Sequence, residues 1–451
     1  MSRSYRFDID SAPLTRESLG IPKERERYAL RKQLIQKKLN TSLLPAMRKH
    51  GIDMWLVLSR EFHPDPVLYE IGGGWPGVRN AYIFFDNGGD TPEKIFIGSH
   101  EQRESLFHDV YDQVVFYGYS QEGLAPFLRD AVQKRNPQRI GVNMSKTLPM
   151  ADGLSAVLKH YLEEAIGDEY ARRLTSAELV VRDYRGGRLP EEVALYRRLC
   201  EWTVAWCAEG FSRRVVLPGV TTTDDIHWWM RDKARELGLD VEFLPGMRIN
   251  RQGRPIPTNS PDHPILPGDI VTMDAGLSFD LFRSDYQRTA YVVRPGETEP
   301  PASLRRAFAD ALCARDQLTA RIAPGKIAHV VWDETMEWAK SQGYQVMYPA
   351  AAGRRETVTA PQVGIYSHSI GNSTHGIGAR IAVDWPVAYG DRVRYPLGLN
   401  EWYSIELGVS TPIPEWDGRA VFVGIEEDAA LTERGIEYFA QPQTELIVIP
   451  A

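Results

Sequence analysis

Apolar and polar positions alternate along this chain in two successive stretches of strand-and-helix pattern. In the first, Met54–Leu58 and Ala81–Phe85 are short apolar runs rich in strand formers, and Ile95–Ile97, Val114–Tyr117 and Arg139–Val142 continue the series. Lys23–Lys38 reads as a charged helix with a solvated face, Leu43–His50 as an amphipathic helix and Gly123–Lys134 as a further helical stretch. Strands alternating with helices imply an α/β domain, preceded by a loose polar arm over the first ~20 residues. Near Ser176–Leu189 the pattern breaks at Gly186-Gly187, and Pro190 with Glu191 and Glu192 suits a helix start. The expected division is therefore 1–185 and 186–451. The second stretch predicts helices at Glu191–Val215, Thr223–Leu237, Ser303–Ala320 and Ile327–Gln342. It predicts strands at Ile270–Ala275, Gln287–Val293, Tyr403–Val409, Ala420–Asp428 and Glu445–Ile449.

Composition narrows the class. Of 451 residues, 43% are hydrophobic and 25% charged, which excludes wholesale disorder. With 53 basic against 60 acidic residues the net charge is −7, which argues against a dedicated nucleic-acid binder. No run of 18 apolar residues and no basic–apolar leader is present, so a cytoplasmic protein without membrane segments is expected. Cys200, Cys207 and Cys313 are too few and too scattered for a disulfide framework and are expected as buried reduced thiols. Gly72, Gly74 and Gly77 satisfy a dinucleotide-binding spacing, but Trp75 and Pro76 interrupt it, and a Gly-rich loop is expected. Trp202, Trp206, Trp228 and Trp229 lie on two predicted helices and read as core or subunit packing, with a substrate wall as the alternative.

The chemistry concentrates in the second half. The strand Ile270–Ala275 ends on Asp274, and eleven residues later Asp285 precedes another apolar strand. A hairpin would bring the two carboxylates together, where they need a metal or a shared proton. His368 and His375 stand seven apart in a segment without charged side chains. Glu406 is embedded in an apolar strand. Glu426 lies on the Phe422/Gly424 face of an alternating strand, opposite Val421, Val423 and Ile425.

This constellation of two aspartates, H-x-I-G-x-x-x-H, an IE strand and an IEED strand resembles the creatinase/aminopeptidase P/prolidase/methionine aminopeptidase family over residues 176–451. The resemblance implies an α/β fold: a creatinase-like N-terminal domain, matched only by size and pattern, followed by a pita-bread catalytic domain. It implies five metal ligands, Asp274, Asp285, His368, Glu406 and Glu426, with Asp285 and Glu426 bridging two divalent ions (Mn, Co, Zn or Fe). It implies that a hydroxide between those ions cleaves the amide bond before proline, as in an Xaa-Pro aminopeptidase or dipeptidase. His375 would contact the substrate carbonyl and Glu406 would shuttle the proton. A homodimer acting on a small peptide or other small molecule is implied, with neither nucleic acid nor membrane as partner.

Two registers compete for the histidine ligand. With His375 as ligand, the residue seven further on is Ala382; with His368, it is His375, so the second accounts for both. Counting back six from Thr432 selects Glu426 over Glu427. Two substrate-facing positions depart from the family. Pro257 stands where a histidine is usual, and Gly424 where arginine is usual, with Arg354, Arg355 and Arg380 as substitute cations. The departures keep two alternatives open: a creatinase-like or lyase-type enzyme acting on a small non-peptide substrate, and an inactive binding module.

Overall fold

The computed structural model describes residues 12–99, 108–118, 120–253, 256, 262–348 and 359–450. Two compact units emerge: Lys23–Glu192, and Val193–Ala451 together with Met1–Pro22. The division falls inside one helix, Pro190–Gly210.

In the first unit, six strands among the described residues form one sheet: β1 (Met54–Arg60), β2 (Arg79–Phe85), β3 (Glu93–Gly98), β4 (Gln113–Phe116), β5 (Ile140–Val142) and β6 (Leu174–Ser176), in the order β4-β3-β2-β1-β5-β6. The strand pairs β1–β2 and β2–β3 are antiparallel and the outer ones parallel. Its core joins Leu56, Ile83, Ile95 and Val142 to Leu128 and Leu162 from helices Ala125–Arg135 and Ala156–Ile166. The charged helix runs Glu24–Lys38 and passes through a wider turn at Leu39–Leu43 into Leu44–Lys49, so the two expected helices are continuous. Gly72–Gly77 is a loop between a short 3₁₀ turn and β2 and opens no helix. The stretch at Ser176–Leu189 holds a helix, Glu178–Gly186, which buries Val180, Val181 and Tyr184; the Gly-Gly pair ends it.

The second unit contains β7 (Gly246–Asn250), β8 (Ile270–Ala275), a small hairpin of β9 (Ser278–Phe279) and β10 (Phe282–Arg283), β11 (Tyr286–Val292), β12 (Gln345–Val346), β13 (Gln362–Ile365), β14 (His368–Ser369), β15 (Trp402–Pro412), β16 (Ala420–Thr432), β17 (Gly435–Tyr438) and β18 (Ile447–Ile449). Among the described residues, all but β9 and β10 join one ten-stranded sheet along the path β12-β13-β15-β16-β11-β8-β7. Helices Ala302–Thr319 and Ala328–Ser341 pack their apolar stripe (Leu304, Phe308, Ala311, Val331, Trp332) on Ile405, Leu407, Val423 and Ile425 from one face of that sheet. The Thr222/Asp225 capping box starts helix Thr223–Glu236 by satisfying its first amides.

Two expectations, a loose opening arm and three buried thiols, are corrected. Residues 12–22 are anchored within the second unit: Leu19 O accepts from Trp202 Nε1 at 2.9 Å, and Ile21 is buried. Cys313 is exposed, unlike Cys200 and Cys207. Trp202 and Trp206 are core residues, whereas Trp228 is half exposed because it occupies the outer face of its helix. No helix among the described residues is long and apolar enough to cross a membrane.

Candidate metal centre

The site is a row of side chains across four neighbouring strands. Cross-strand register sets Asp274 on β8 opposite Gln287 on β11, Gln287 opposite Glu426 on β16, and Glu426 opposite Glu406 on β15. Side chains alternate faces with period two, so Asp285, Ser404 and Asp428 share the face of Gln287, Glu406 and Glu426. β14 adds His368, which pairs with Ser404. The β8–β11 connection turns tightly because Gly276 carries no side chain: a Cβ there would lie 1.9 Å from Ser284 O.

The structure brings all five expected ligand residues together. Ligand atoms of Asp274, Asp285 and Glu426 lie within 4.8 Å of one another, as do those of His368, Glu406 and Glu426. His368 is buried, and its Nδ1 lies 3.0 Å from Ser369 O. That acceptor holds a proton on Nδ1, so the Nε2 lone pair faces the acids. Nε2 lies 3.9 Å from Asp285 Oδ2, 3.9 Å from Glu406 Oε2 and 4.0 Å from Glu426 Oε1. These separations exceed a hydrogen bond, but they suit two atoms that each coordinate a common cation at about 2.0–2.2 Å. Nε2 of His368 and Oδ1 of Asp285 are buried without a hydrogen-bond partner. Orphaned polar atoms of this kind call for a ligand.

Electrostatics agree. Burial pushes Asp274 up to about 6 against the pull of Arg248, and burial with the nearby Asp274 pushes Glu406 up to about 7. Asp285 is driven well above the usual carboxylate range by burial and by the charges of Asp274, Asp428 and Glu406, and Glu426 by burial and the charges of Asp285, Glu406 and Asp274. Burial also keeps His368 neutral well below its ordinary value. Without a cation, this cluster retains protons at neutral pH.

His375 is exposed and meets His368 edge-to-face, with centroids 4.6 Å apart. Its loop is held by Arg392, which donates to Gly378 O at 3.0 Å and to Gly376 O. Desolvation and the Arg380 and Arg392 guanidiniums lower the His375 pKa, favouring the neutral ring. Glu427, the alternative to Glu426, faces the opposite side of β16 and is buried in a bidentate pair with Arg288 at 3.0 and 2.9 Å. Arg380 stacks over the Tyr389 ring at 4.8 Å. Pro257, Arg354 and Arg355 lie outside the described residues.

Three residues of this face escaped the sequence reading. Ser404 Oγ donates to Glu426 Oε1 at 2.7 Å, and Gln287 Nε2 donates to Glu426 Oε2 at 3.0 Å and Glu406 Oε1 at 3.2 Å. Asp428 lies beneath Asp285 and accepts its backbone N–H at 3.0 Å and the Tyr196 hydroxyl at 2.9 Å. Strand parity was the available signal, because each stands two residues from an expected ligand.

Comparison with known proteins is consistent with this geometry. Residues 194–433 match the model of Metallopeptidase family M24. An Xaa-Pro dipeptidase of Pyrococcus furiosus is 24% identical over 284 residues, 59% of this chain and 67% of that protein. Among solved structures, the X-Pro aminopeptidase of Thermotoga maritima superposes with a TM-score of 0.66 at 17% identity, covering 90% of this chain and 100% of that one. The Xaa-Pro dipeptidase of Bacillus anthracis gives 0.63 at 18% identity, covering 92% and 99%. These likenesses establish the α/β fold with its pita-bread catalytic part.

Proposed function

The chain belongs to metallopeptidase family M24 and is a hydrolase of the metallopeptidase type; from that premise we propose that it cleaves the amide bond before proline, as an Xaa-Pro aminopeptidase or dipeptidase, with two divalent cations. Asp274, Asp285, His368, Glu406 and Glu426 would hold them. The observation that carries the reading is the buried, unpartnered Nε2 of His368 facing three carboxylates at 3.9–4.0 Å. Four acids and one imidazole form a hard donor set suited to Mn, Co, Zn or Fe. When bound, such ions acidify water and polarise a carbonyl.

The chain's own groups do the rest. His375, neutral and at the edge of the cluster, donates a hydrogen bond to the oxygen that gains charge as the carbonyl is attacked. Glu406 carries a proton from the attacking water to the leaving nitrogen. Asp428 and Ser404 fix Asp285 and Glu426 so that neither reorients during the reaction. A homodimer accompanies this reading as an expectation of the family resemblance, and a cytoplasmic setting as an expectation from the sequence.

The test is a panel of Xaa-Pro dipeptides and longer Xaa-Pro peptides offered to protein loaded with Mn²⁺ or Co²⁺. Release of proline or of the N-terminal residue is expected. No release removes the peptidase assignment and leaves the second reading, a small non-peptide substrate cleaved at a C–N bond. That reading is favoured by one observation: glycine stands at 424, with the neutral Gln287 amide beside it. Less than one equivalent of metal after reconstitution would instead point to a binding module.

A further inference from the structure

We propose that Gln287 is a positioning residue of this centre and that Gly424 leaves room for it. The Gln287 amide lies across Gly424 and ties Glu406 to Glu426, leaving one oxygen of each aimed at His368. The proposal rests on the cluster being a cation site, and extends it to a residue pair that supplies no ligand.

Gln287 occupies the centre of the row, opposite both Asp274 and Glu426, and is buried. Its –NH₂ group has two donors, and two carboxylate oxygens lie in reach: Glu426 Oε2 at 3.0 Å and Glu406 Oε1 at 3.2 Å. The chemistry fixes the amide's orientation, since reversing it would set a carbonyl oxygen against two carboxylates. The donors therefore claim one oxygen of each glutamate. The other two, Glu406 Oε2 and Glu426 Oε1, are the atoms that stand 3.9 and 4.0 Å from His368 Nε2. A neutral donor can do this without competing as a cation for the site, which a lysine or arginine at 287 would do.

The amide carbonyl points to the opposite side. A Cβ on Gly424 would lie 2.0 Å from Gln287 Oε1, so any larger residue at 424 displaces the amide. Gly424 is not in the left-handed region, so alanine is permitted there by the backbone. The clash would fall on the far end of a flexible side chain, which swings aside without unfolding the sheet. Gly424 also faces Gly408 across β15–β16, where the Phe422 ring takes the space over Gly408 at 2.1 Å from its would-be Cβ. One glycine thus admits a ring and the other an amide.

The experiment titrates Co²⁺ into metal-free wild type, Gln287→Ala, Gly424→Ala and the double variant, reading both affinity and the visible absorption of bound Co²⁺. Loss of this outer partner should weaken Co²⁺ binding by about 10–100-fold and alter the spectrum. Gly424→Ala should do the same although it removes no polar group. The double variant should bind no more weakly than Gln287→Ala, because both changes act through one amide. Wild-type affinity and spectrum in Gln287→Ala overturn the assignment, as do fully additive losses in the double variant. Should Gln287→Ala not fold, Gly424→Ala decides the matter, and wild-type behaviour there is the overturning result. A wild-type protein that takes up no Co²⁺ overturns the cation reading itself, and this assignment with it.

Discussion

Glu426 and Glu427 are neighbours in one strand, each only 1% exposed, and they differ in what faces them. Glu427 meets the Arg288 guanidinium in a two-pronged pair and also accepts from Gln443 N at 2.7 Å. Burial raises its pKa and Arg288 pulls it back. Glu426 meets Asp285, Glu406 and Asp274, whose charges add to burial and drive its pKa well upward. One face of β16 therefore carries its counter-cation in the chain. The other presents carboxylates and an imidazole whose Nε2 has no hydrogen-bond partner, an arrangement that stays costly until a cation arrives from solution. Burial alone does not distinguish a structural acid from a ligand; the presence of a resident partner does.

Substituting on the ligand side should break function and spare the fold. Asp285→Ala removes a ligand, and kcat/KM should fall by more than the roughly 10–100-fold typical of outer partners. Thermal melts of the metal-free variant should show no loss of stability, since one of several repelling acids is gone. Substituting on the other side should do the reverse. Glu427→Ala strands Arg288 and should cost about 3–5 kcal/mol in denaturant unfolding, while Co²⁺ affinity per folded molecule changes little.

Metal removal sharpens the contrast through pH. Asp274 at about 6 and Glu406 at about 7 lie above their ordinary values of 3.8 and 4.5, so the folded metal-free protein holds protons that the unfolded chain releases. These groups contribute stability that is complete below about pH 4 and is lost as pH rises through about 7. A bound cation displaces the protons, so its stabilisation grows over the same window. At a free cation concentration 100 times Kd the gain is about 2.7 kcal/mol. The drop in Tm on chelation should therefore be large at pH 7.5 and small at pH 5. The smallest effect belongs to Ser404→Ala, which frees Glu426 Oε1 from its 2.7 Å hydrogen bond and should weaken Co²⁺ binding by about tenfold.

Much of this was legible beforehand because ligands are costly where they stand. An acid ending an apolar strand, a second eleven residues on, and glutamates inside apolar strands all violate the ordinary pattern and so attract attention. Gln287 and Ser404 violate nothing: a polar residue near a strand end is unremarkable until the register places it two positions from a ligand, whereas Asp428 is a buried acid within β16 whose neighbours Glu426 and Glu427 mask it. The helix Glu178–Gly186 escaped for the opposite reason, since Gly186-Gly187 drew the eye from Val180, Val181 and Tyr184 at helical spacing. The polar composition of the opening segment likewise hid Leu19, whose carbonyl accepts from Trp202 Nε1, and the buried side chain of Ile21.

The most direct test is anomalous diffraction from crystals of the protein soaked in Mn²⁺. A manganese peak is expected about 2.0–2.3 Å from His368 Nε2 and from carboxylate oxygens of Asp285, Glu406 and Glu426. Side chains that converge as described around nothing but water, with the metal absent or bound elsewhere, would contradict the account.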